Sequence, residues 1–300
     1  MQSTRRSFLG AAGFAGLGAV GVTPVSARIE PAPWGIKLGV ATYSLRSFDR
    51  TKAIEMLKSL QTPWISIKEV HLAQKNTKAE IQAGAKEYAT LESVRAGAKE
   101  FTDAGLKIMS GGNVDMKETT IEGLRPHFEY AKAAGMAMMV CAPTHDNVKL
   151  VEALVKEYDI KMAIHNHGPE DKQFPTPQSV LEVVRGMDPR CGLCMDVGHS
   201  ARTGIDVVKT IADAGSRLLD MHVKDLRDLS GKTNPPTPSF GQCDVGDGDM
   251  PFPGIFKQLK KMNYQGCVNL EYEINAKDPL PGMQRSFSYM RGVLAGLAAA

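Results

Sequence analysis

The sequence predicts a single (β/α)8 TIM barrel, an α/β fold in which eight parallel strands alternate with helices. Between residues 28 and 300 of the 300-residue chain, short apolar runs alternate with stretches of helical spacing. Most of these runs end abruptly in polar or ionisable residues, which is typical of parallel strands whose carboxyl ends carry a functional site. An open doubly wound sheet is disfavoured because no Gly-x-Gly-x-x-Gly turn follows the first run, and because polar residues follow many runs rather than one switch point.

The first half of the chain contains four of the predicted strands. Period-two alternation in the second of them places Glu69 and His71 on the same face as two isoleucines. The predicted strands are Lys37–Tyr43, Trp64–Val70, Leu106–Ser110 and Met136–Ala142. The helical patterns in this half are Arg50–Leu60, Lys78–Ala104 and Thr119–Ala134.

The second half repeats the alternation and adds one long loop. The predicted strands are Ile160–Ile164, Gly192–Val197, Leu218–Val223 and Cys267–Tyr272. The predicted helices are Val148–Glu157, Gln178–Gly186, Asp206–Ala214, Pro253–Met262 and Pro281–Leu297. Residues 228–252 form a Pro- and Gly-rich loop before the eighth strand. Because loops of this length are uncommon inside a compact domain unless they are functional, we expect this one to form a lid or rim of the site.

The first 27 residues differ from the rest of the chain and resemble a bacterial twin-arginine export signal. Arg5 and Arg6 precede Phe8 and Leu9, an uncharged stretch rich in small residues follows, and Val25-Ser26-Ala27 offers a cleavage site. A membrane-spanning helix is the weaker interpretation because the apolar stretch is short and rich in glycine. We therefore expect residues 1–27 to be removed, no membrane span to remain, and residues 28–300 to function in the periplasm or another extracytoplasmic compartment.

Composition narrows the class of protein. With 43% hydrophobic and 23% charged residues, the chain has the composition of a globular protein. A formal net charge of +3, without a basic run interleaved with aromatics, argues against a nucleic-acid partner. The five cysteines form an odd set without a regular framework. Cys191 and Cys194 run into a predicted strand, so we expect Cys194 to pack in the core and predict no disulfide.

Ionisable residues cluster where the predicted strands end. Six of the seven histidines lie at or just beyond a strand end, namely His71, His145, His165, His167, His199 and His222. Alternation gives shared faces to three sets: His165 with His167, Asp220 with His222 and Lys224, and Asn269 with Glu271 and Glu273. A barrel brings these ends to one mouth, where imidazoles and carboxylates suit one divalent ion such as Mn²⁺, Mg²⁺, Co²⁺ or Zn²⁺. Alternatively, only one of Glu271 and Glu273 points into the mouth, while the other makes a salt bridge at the rim.

Such a site suits removal of a proton next to a carbonyl group of a sugar. A metal chelated by neighbouring carbonyl and hydroxyl oxygens would act as a Lewis acid and stabilise the enediolate. Glu271 or Glu273 is the preferred general base. One of His165, His167 and His199 would act as the acid, and Lys224 would neutralise charge on the oxyanion. Isomerisation, β-elimination and hydration of a keto-sugar remain open because they begin with the same step.

Several motifs in order resemble the xylose isomerase-like barrel superfamily, specifically its sugar phosphate isomerase/epimerase branch. They are Ile164-His165-Asn166-His167, Asp196-Val197-Gly198-His199, Met221-His222-Val223-Lys224-Asp225, Val245-Gly246-Asp247-Gly248 and Asn269-Leu270-Glu271-Tyr272-Glu273. The resemblance implies a divalent ion held by Asp196, His222 and Glu271, and makes His199 similar to a residue that contacts the substrate or the ligands. It also implies a glutamate at the end of the fifth strand. This chain has His165 there, with His167 two residues on. An imidazole can still bind the ion at this place, and alternation allows either His165 or His167 as the ligand, but the change disfavours epimerisation by paired glutamates.

The expected ligand is a small saccharide or keto-sugar, neutral or oxidised. A phosphorylated sugar is disfavoured because Asp244, Asp247 and Asp249 precede the eighth strand, where a phosphate would need amides and cations. We expect the substrate-binding residues to be Tyr43, Glu69, His71, His145 and Asp247; a purely structural role is the alternative for Glu69. Two other functions remain open. One is phosphodiester hydrolysis, as in the apurinic endonucleases that share this barrel, and the other is sugar binding without catalysis.

Overall fold

The computed structural model of the protein describes residues 35–72, 90–227, 229 and 241–300. The predicted export signal, the first part of the helix predicted at Lys78–Ala104 and much of the long loop at 228–252 lie outside these residues. Among the described residues, no helix is both long and apolar enough to cross a membrane.

Eight parallel strands close into a barrel, as the sequence predicts. They are β1 (Lys37–Ala41), β2 (Trp64–Ile67), β3 (Lys107–Asp115), β4 (Met138–Ala142), β5 (Lys161–His165), β6 (Cys191–Asp196), β7 (Leu218–Val223) and β10 (Cys267–Leu270). Their order around the barrel is β1-β10-β7-β6-β5-β4-β3-β2. Two short strands, β8 (Asp225–Leu226) and β9 (Gln242–Cys243), form a separate antiparallel pair. Every strand pair in the barrel is parallel, so all the carboxyl ends of the strands lie at one mouth.

Helices follow most of the barrel strands. In the described residues they are α1 (Arg50–Ser59), α2 (Glu69–Leu72), α3 (Leu91–Asp103), α4 (Ile121–Ala133), α5 (Val148–Tyr158), α6 (Pro177–Val184), α7 (Val197–Ala201), α8 (Val207–Ala214), α9 (Phe252–Lys261) and α10 (Leu280–Ala299). Six begin at a Thr or Asp whose side chain accepts a backbone N–H of the first turn: Asp49, Thr90, Thr120, Thr176, Asp196 and Asp206. Such a cap contributes about 1 kcal/mol to stability. Asp196 is unusual because it also belongs to the cluster described below.

The alternation of side chains along the strands divides the buried residues into two sets. Residues that point outward form the main core between the barrel and its helices, which includes six fully buried phenylalanines: Phe101, Phe128, Phe174, Phe252, Phe256 and Phe287. Residues that point inward include a small separate apolar cluster of Met138, Val140, Ala163 and Cys194. All five cysteines are buried and free, which confirms the packed position predicted for Cys194.

A polar layer continues the barrel interior beyond these apolar residues. Asp220 is fully buried and accepts hydrogen bonds from the Ser110 hydroxyl at 2.5 Å and the Asn269 amide at 2.8 Å. Burial raises the pKa of Asp220 to about 6. Asp220 lies two residues before His222 on the same strand, so this layer supports the ionisable residues at the mouth.

The main error of the sequence prediction concerns the second strand, which was expected to continue to Val70. The observed strand β2 ends at Ile67, and the chain turns into helix α2 at Glu69. Period-two alternation therefore stops before Glu69 and His71 are reached. The other strands end within a few residues of their predicted positions, except that β3 extends to Asp115 rather than Ser110.

Candidate metal centre

Four buried side chains from neighbouring strands converge at the mouth of the barrel. One ligand atom each from His165, Asp196, His222 and Glu271 lies within 4.8 Å of all the others. Register explains the convergence, because Asp196 pairs with His222 across β6 and β7, and His222 pairs with Asn269, two residues before Glu271. His165 Nε2 lies 3.6 Å from Asp196 Oδ2, and His222 Nδ1 lies 3.3 Å from Glu271 Oε2. Two imidazoles and two carboxylates at this separation form the donor set of a divalent-metal site.

The hydrogen bonding of this cluster also fits a cation. Within the described residues, His165 Nδ1 and both ring nitrogens of His222 are buried and make no hydrogen bond, and the buried Asp196 Oδ2 has ion-pair contacts but no hydrogen bond. Buried polar atoms are normally satisfied, and leaving one unsatisfied costs about 1–3 kcal/mol. A divalent ion at the centre of the four side chains would satisfy several of these atoms at once.

Lys224 lies beside the cluster and contacts three carboxylates. Its ammonium is 2.8 Å from Glu271, 2.7 Å from Glu273 and 3.0 Å from Asp196. Burial alone would lower the pKa of Lys224, but the three carboxylates raise it well above its usual value, so the side chain is charged. Conversely, burial would raise the pKa of Glu271, and the attraction of Lys224 and His222 lowers it well below its usual value.

Glu273 lies next to this cluster without being part of it. Its Oε2 accepts hydrogen bonds from Lys224 Nζ and, at 3.2 Å, from Gln242 Nε2 of strand β9. Both Glu271 and Glu273 therefore point into the mouth of the barrel. Neither of them forms only a salt bridge at the rim. Glu273 is more exposed than Glu271, with 27% against 11% of its side chain accessible to solvent.

His199 is held in one orientation from two directions. Its backbone N–H donates to Asp196 Oδ1 at 2.8 Å, and its Nδ1 lies 2.9 Å from an Arg202 nitrogen. Because arginine can only donate, Nδ1 accepts and the ring proton resides on Nε2. Burial lowers the pKa of His199 to about 3, so the ring is neutral and serves as an N–H donor.

His167 stands at the rim rather than in the cluster. Strand β5 ends at His165, and His167 is exposed, with its ring centroid 4.6 Å from that of His199. Alternation allows either His165 or His167 as a metal ligand. The structure places His165, and not His167, in the cluster with Asp196, His222 and Glu271.

A cavity of about 440 Å³ opens above the cluster. This volume lies within the usual range for small-molecule sites, about 300–1,000 Å³. The predicted residues that line it are Tyr43, His165, His167, His199, Lys224, Glu271 and Glu273. Five further lining residues were not predicted: Arg46, Lys68, Asn113, Glu170 and Gln242. They carry no metal-ligand pattern in the sequence; only their nearness to strand ends could have indicated them.

Four of the residues predicted to bind substrate lie outside the cavity. His71 is buried and structural: its Nδ1 is 3.1 Å from the Thr42 hydroxyl, and its Nε2 is 3.2 Å from the Leu45 carbonyl. Glu69 is exposed on helix α2 and pairs with Lys68 at 3.2 Å. For both, the reason is the early end of strand β2.

The other two residues that lie outside the cavity are in loops. His145 is exposed, and its Nε2 is 2.8 Å from the Gln173 carbonyl oxygen. Asp247 is exposed in the tight loop before α9. The loop that contains Asp247 is held in place by Asp225. The Asp225 carboxylate accepts hydrogen bonds from the backbone N–H groups of Gly246, Gly248 and Met250, and from that of Leu226.

Several curated proteins are similar to part of this chain. Inosose dehydratase of Mesomycoplasma hyopneumoniae (strain 7448) is 29% identical over 153 residues, which is 47% of this chain and 50% of that protein. The putative L-ribulose-5-phosphate 3-epimerase SgbU of Escherichia coli (strain K12) is 33% identical over 86 residues, covering 28% of this chain and 29% of that protein. The chain thus spans about half the length, or less, of these curated relatives.

Solved structures agree with the barrel over most of the chain. The 3-keto-D-glucoside 4-epimerase YcjR from E. coli has a TM-score of 0.63 and 15% identity, covering 86% of this chain and 99% of that chain. The IolI protein with a bound zinc atom has a TM-score of 0.62 and 16% identity, covering 86% of this chain and 98% of that chain. At such identities the likeness shows the fold alone. Residues 105–293, more than half of the chain, match the family described as xylose isomerase-like TIM barrel, and the protein belongs to that family.

Proposed function

We propose that the protein is a metal-dependent enzyme that removes a proton next to a carbonyl group of a sugar. The observation that carries this proposal is the position of Glu273. Its carboxylate lines the cavity beside the four-residue cluster, is held by Lys224 and Gln242, and is not itself one of the four clustered ligands. A fixed carboxylate next to a Lewis-acid site is the arrangement that proton abstraction requires.

His165, Asp196, His222 and Glu271 would hold the divalent ion. Once bound there, such an ion would polarise the substrate carbonyl and so acidify the neighbouring C–H group. The unsatisfied nitrogens of His222 and the mixed nitrogen and oxygen donor set support this assignment. The relative named as a dehydratase, the relative named as an epimerase and the zinc atom in the IolI structure are consistent with it.

The residues of the chain then have separable roles. Glu273 takes the proton from carbon, the electron pair of the broken C–H bond forms a double bond to the carbonyl carbon, and the carbonyl π electrons move onto its oxygen. Lys224 orients Glu273 and Glu271 through contacts of 2.7 and 2.8 Å. The N–H of His199 Nε2 is the donor available to a substrate oxygen on the other side of the cavity. Glu273 can return the proton to the former carbonyl carbon, while the hydroxyl on the carbon that lost it gives its O–H proton to the other oxygen and becomes the new carbonyl. These transfers complete an isomerisation in which one base moves the carbon-bound proton.

The distribution of carboxylates favours isomerisation over epimerisation. Epimerisation needs proton donors and acceptors on both faces of the substrate carbon, and both cavity glutamates beside the cluster, Glu271 and Glu273, follow the single strand β10. The opposite side, after β5 and β6, presents His167 and His199 instead. β-Elimination is the second candidate, because the same removal of a proton by Glu273 can expel a hydroxyl group that His167 protonates to water. The inosose dehydratases among the relatives favour this candidate.

Exchange with solvent deuterium tests the proposal. The metal-loaded protein is incubated in D₂O with D-fructose and with an inosose, and the products are analysed by mass spectrometry and NMR. We expect deuterium on the carbon next to the carbonyl; an aldose product indicates isomerisation, and a product lighter by one water indicates elimination. Glu273→Gln should lower the exchange rate by about 10²–10⁴-fold while the metal is retained, since general-base catalysis typically contributes that much.

Glu55→Gln is the matched control. Glu55 is exposed on helix α1, pairs with Lys52 and does not line the cavity, so exchange should persist in this variant. If the metal-loaded wild type binds sugars but exchanges no proton with any ketose, the protein is better described as a sugar-binding barrel without catalysis.

We also propose that the protein is exported, on the basis of the twin-arginine pattern in residues 1–27. Fractionation of cells that express the full chain should recover the protein in the periplasm. The double change Arg5→Lys with Arg6→Lys should retain it in the cytoplasm.

A further inference from the structure

Two cations approach one aromatic ring on the side of the cavity formed by the first strands. The guanidinium of Arg46 lies 4.3 Å from the centroid of the Tyr43 ring, and the ammonium of Lys68 lies 6.0 Å from it. All three residues line the cavity above the metal cluster. Arg46 is further fixed by a hydrogen bond of 3.0 Å from its guanidinium to the Tyr43 carbonyl. The two positive charges are therefore held near each other in ordered positions.

These charges are less compensated than the other cation of the cavity. Lys224 contacts three carboxylates. Among the described residues, in contrast, no carboxylate pairs with Arg46, whose guanidinium makes its one hydrogen bond to Tyr43. Lys68 pairs at 3.2 Å with Glu69, whose side chain is 47% exposed, so only part of the Lys68 charge is compensated. Among the residues that the structure describes, about one positive charge on this side of the cavity thus has no carboxylate partner.

An unsatisfied polar atom lies in the same place. Asn113 lines the cavity, and its backbone carbonyl accepts the Lys68 ammonium at 2.8 Å. Its side-chain Oδ1 is buried and has no hydrogen-bond partner within the described part of the chain. A ligand hydroxyl would satisfy this atom once the Asn113 side chain turns toward the cavity, so a hydrogen-bond acceptor lies on the same side of the cavity as the two cations.

We propose that Arg46, Lys68, Tyr43 and Asn113 form a subsite for an anionic group of the substrate, and that the substrate is a sugar acid whose carboxylate lies here. This proposal deepens the proposed function and rests on it, since it assumes that the same cavity takes a sugar. Arginine presents paired N–H groups that match a carboxylate. A hydroxyl of the sugar next to the carboxylate donates to Asn113.

The amount of charge favours a carboxylate over a phosphate. A phosphate monoester carries about 1.5–2 negative charges at neutral pH and recruits several cations or backbone amides. Here Arg46 is unpaired among the described residues and Lys68 is already shared with Glu69, which leaves a charge suited to a monoanion.

Three hexoses that differ only at carbon 6 test the subsite: D-glucuronate, D-glucose and D-glucose 6-phosphate. Their affinities for the full chain are measured by titration calorimetry, so the result does not depend on turnover. We expect glucuronate to bind about tenfold or more tightly than glucose, which is the contribution of a charge-assisted hydrogen bond. Arg46→Gln and Lys68→Gln should each reduce this preference and leave the affinity for glucose unchanged.

Arg125→Gln is the matched control. The guanidinium carbon of Arg125 also lies over a tyrosine ring, 5.7 Å from the centroid of Tyr158, but Arg125 does not line the cavity. The preference for glucuronate over glucose should survive in this variant. It should also survive in His222→Ala, which would show that the carboxylate binds away from the metal cluster. Equal affinity for glucuronate and glucose in the wild type would overturn the proposal, as would a preference that persists in the Arg46→Gln, Lys68→Gln double variant. A preference that disappears in His222→Ala would assign the carboxylate to the metal and also overturn it. Tighter binding of glucose 6-phosphate than of glucuronate would overturn the choice of a carboxylate.

Failure of this subsite is distinguishable from failure of the proposed function. The former leaves metal binding and proton exchange intact, while the latter removes proton exchange and leaves the preference among the three hexoses in place.

Discussion

His165 occupies the end of the fifth strand, where the resemblance to related barrels implies a glutamate. Its ring lies 3.6 Å from Asp196 and 4.9 Å, between ring centroids, from His222. An imidazole can hold a divalent ion as well as a carboxylate can, but it brings no negative charge to that side of the cavity. The consequence is a site whose two glutamates, Glu271 and Glu273, stand together after strand β10 and beside one ammonium. This asymmetry is the residue-level reason for preferring a single-base reaction.

Replacement of one ligand should remove the metal. In His222→Ala, the cluster keeps three of its four side chains, and we expect the metal content, about one divalent ion per chain in the wild type, to fall to near zero. Elemental mass spectrometry of the purified chains measures this directly. His145→Ala is the control, because His145 is exposed and lies outside the cluster. Metal that persists in His222→Ala at the level of the wild type would contradict the assignment of the centre.

His71 makes a prediction about pH and stability. Burial lowers the pKa of His71 below its usual value of 6.5. The folded state therefore favours the neutral ring, and the stabilisation is complete above pH 6.5. As the pH falls below 6.5, the unfolded chain takes up the proton first, and stability is lost.

The measurement is the melting temperature between pH 8 and pH 5 for the wild type and for His71→Asn. The decline toward acid should be shallower in the variant, although its stability at pH 8 is lower because the contacts with Thr42 and Leu45 are lost. His145→Asn, which changes an exposed ring, is the matched control. Parallel pH profiles for the wild type and His71→Asn would show that His71 is not the source of the decline.

At the scale of elements, strand β2 and helix α2 show where sequence patterns stop being informative. The alternation that correctly predicts buried Ile65 and Ile67 breaks at Lys68, whose backbone N–H is taken by the Thr42 hydroxyl instead of a neighbouring strand. Beyond that bond the chain turns into a helix, and Glu69 and His71 no longer alternate. A hydrogen bond between residues 26 positions apart leaves no trace in local periodicity, so no local pattern could have placed this turn.

The pair of short strands β8 and β9 shows a second such case. Their pairing is secured by Asp225, which is fully buried and accepts four backbone N–H groups, three of them from the loop of Gly246, Gly248 and Met250. The Val245-Gly246-Asp247-Gly248 motif is visible in the sequence, but the sequence pattern predicted substrate binding for its exposed residue, Asp247. Gln242 of strand β9 donates a hydrogen bond to Glu273. Asp225 therefore influences the site by holding strand β9 in place, not by direct contact.

Asp225→Asn should loosen this element. The amide nitrogen of asparagine cannot accept hydrogen bonds, so two of the buried N–H groups lose their acceptor, at about 1–3 kcal/mol each. We expect a lower melting temperature and weaker turnover, with metal content unchanged because the cluster lies on other strands. Asp247→Asn is the control for the same chemical change on an exposed side chain. Unchanged stability in Asp225→Asn, or a loss of metal, would contradict this account of the loop.

At the scale of the whole molecule, parallel topology explains why so much of the site was predictable. The carboxyl ends of all strands in such a barrel lie at one mouth, so topology predicts that Asp196, His222 and Glu271 lie near one another, and the resemblance to related barrels implies that they share an ion. The side chains of the opposite wall could not, because Arg46 and Asn113 act through charge and hydrogen bonding that only the folded cavity defines. The sequence thus predicts the side of the cavity that holds the four-residue cluster better than the side that carries Arg46 and Asn113.

The metal should also stabilise the barrel as a whole. Its four ligands come from, or directly follow, the neighbouring strands β5, β6, β7 and β10, so a bound ion crosslinks half of the sheet. An ion at 100 times its dissociation constant stabilises the folded state by about 2.7 kcal/mol. For a domain of this size that corresponds to a rise in melting temperature of about 5 °C. Calorimetric scans of the EDTA-treated protein, with and without added Mn²⁺ or Zn²⁺, should show this rise in the wild type and none in His222→Ala. Equal melting temperatures with and without metal in the wild type, at metal concentrations up to the millimolar range, would mean that the four side chains do not hold an ion in the folded barrel.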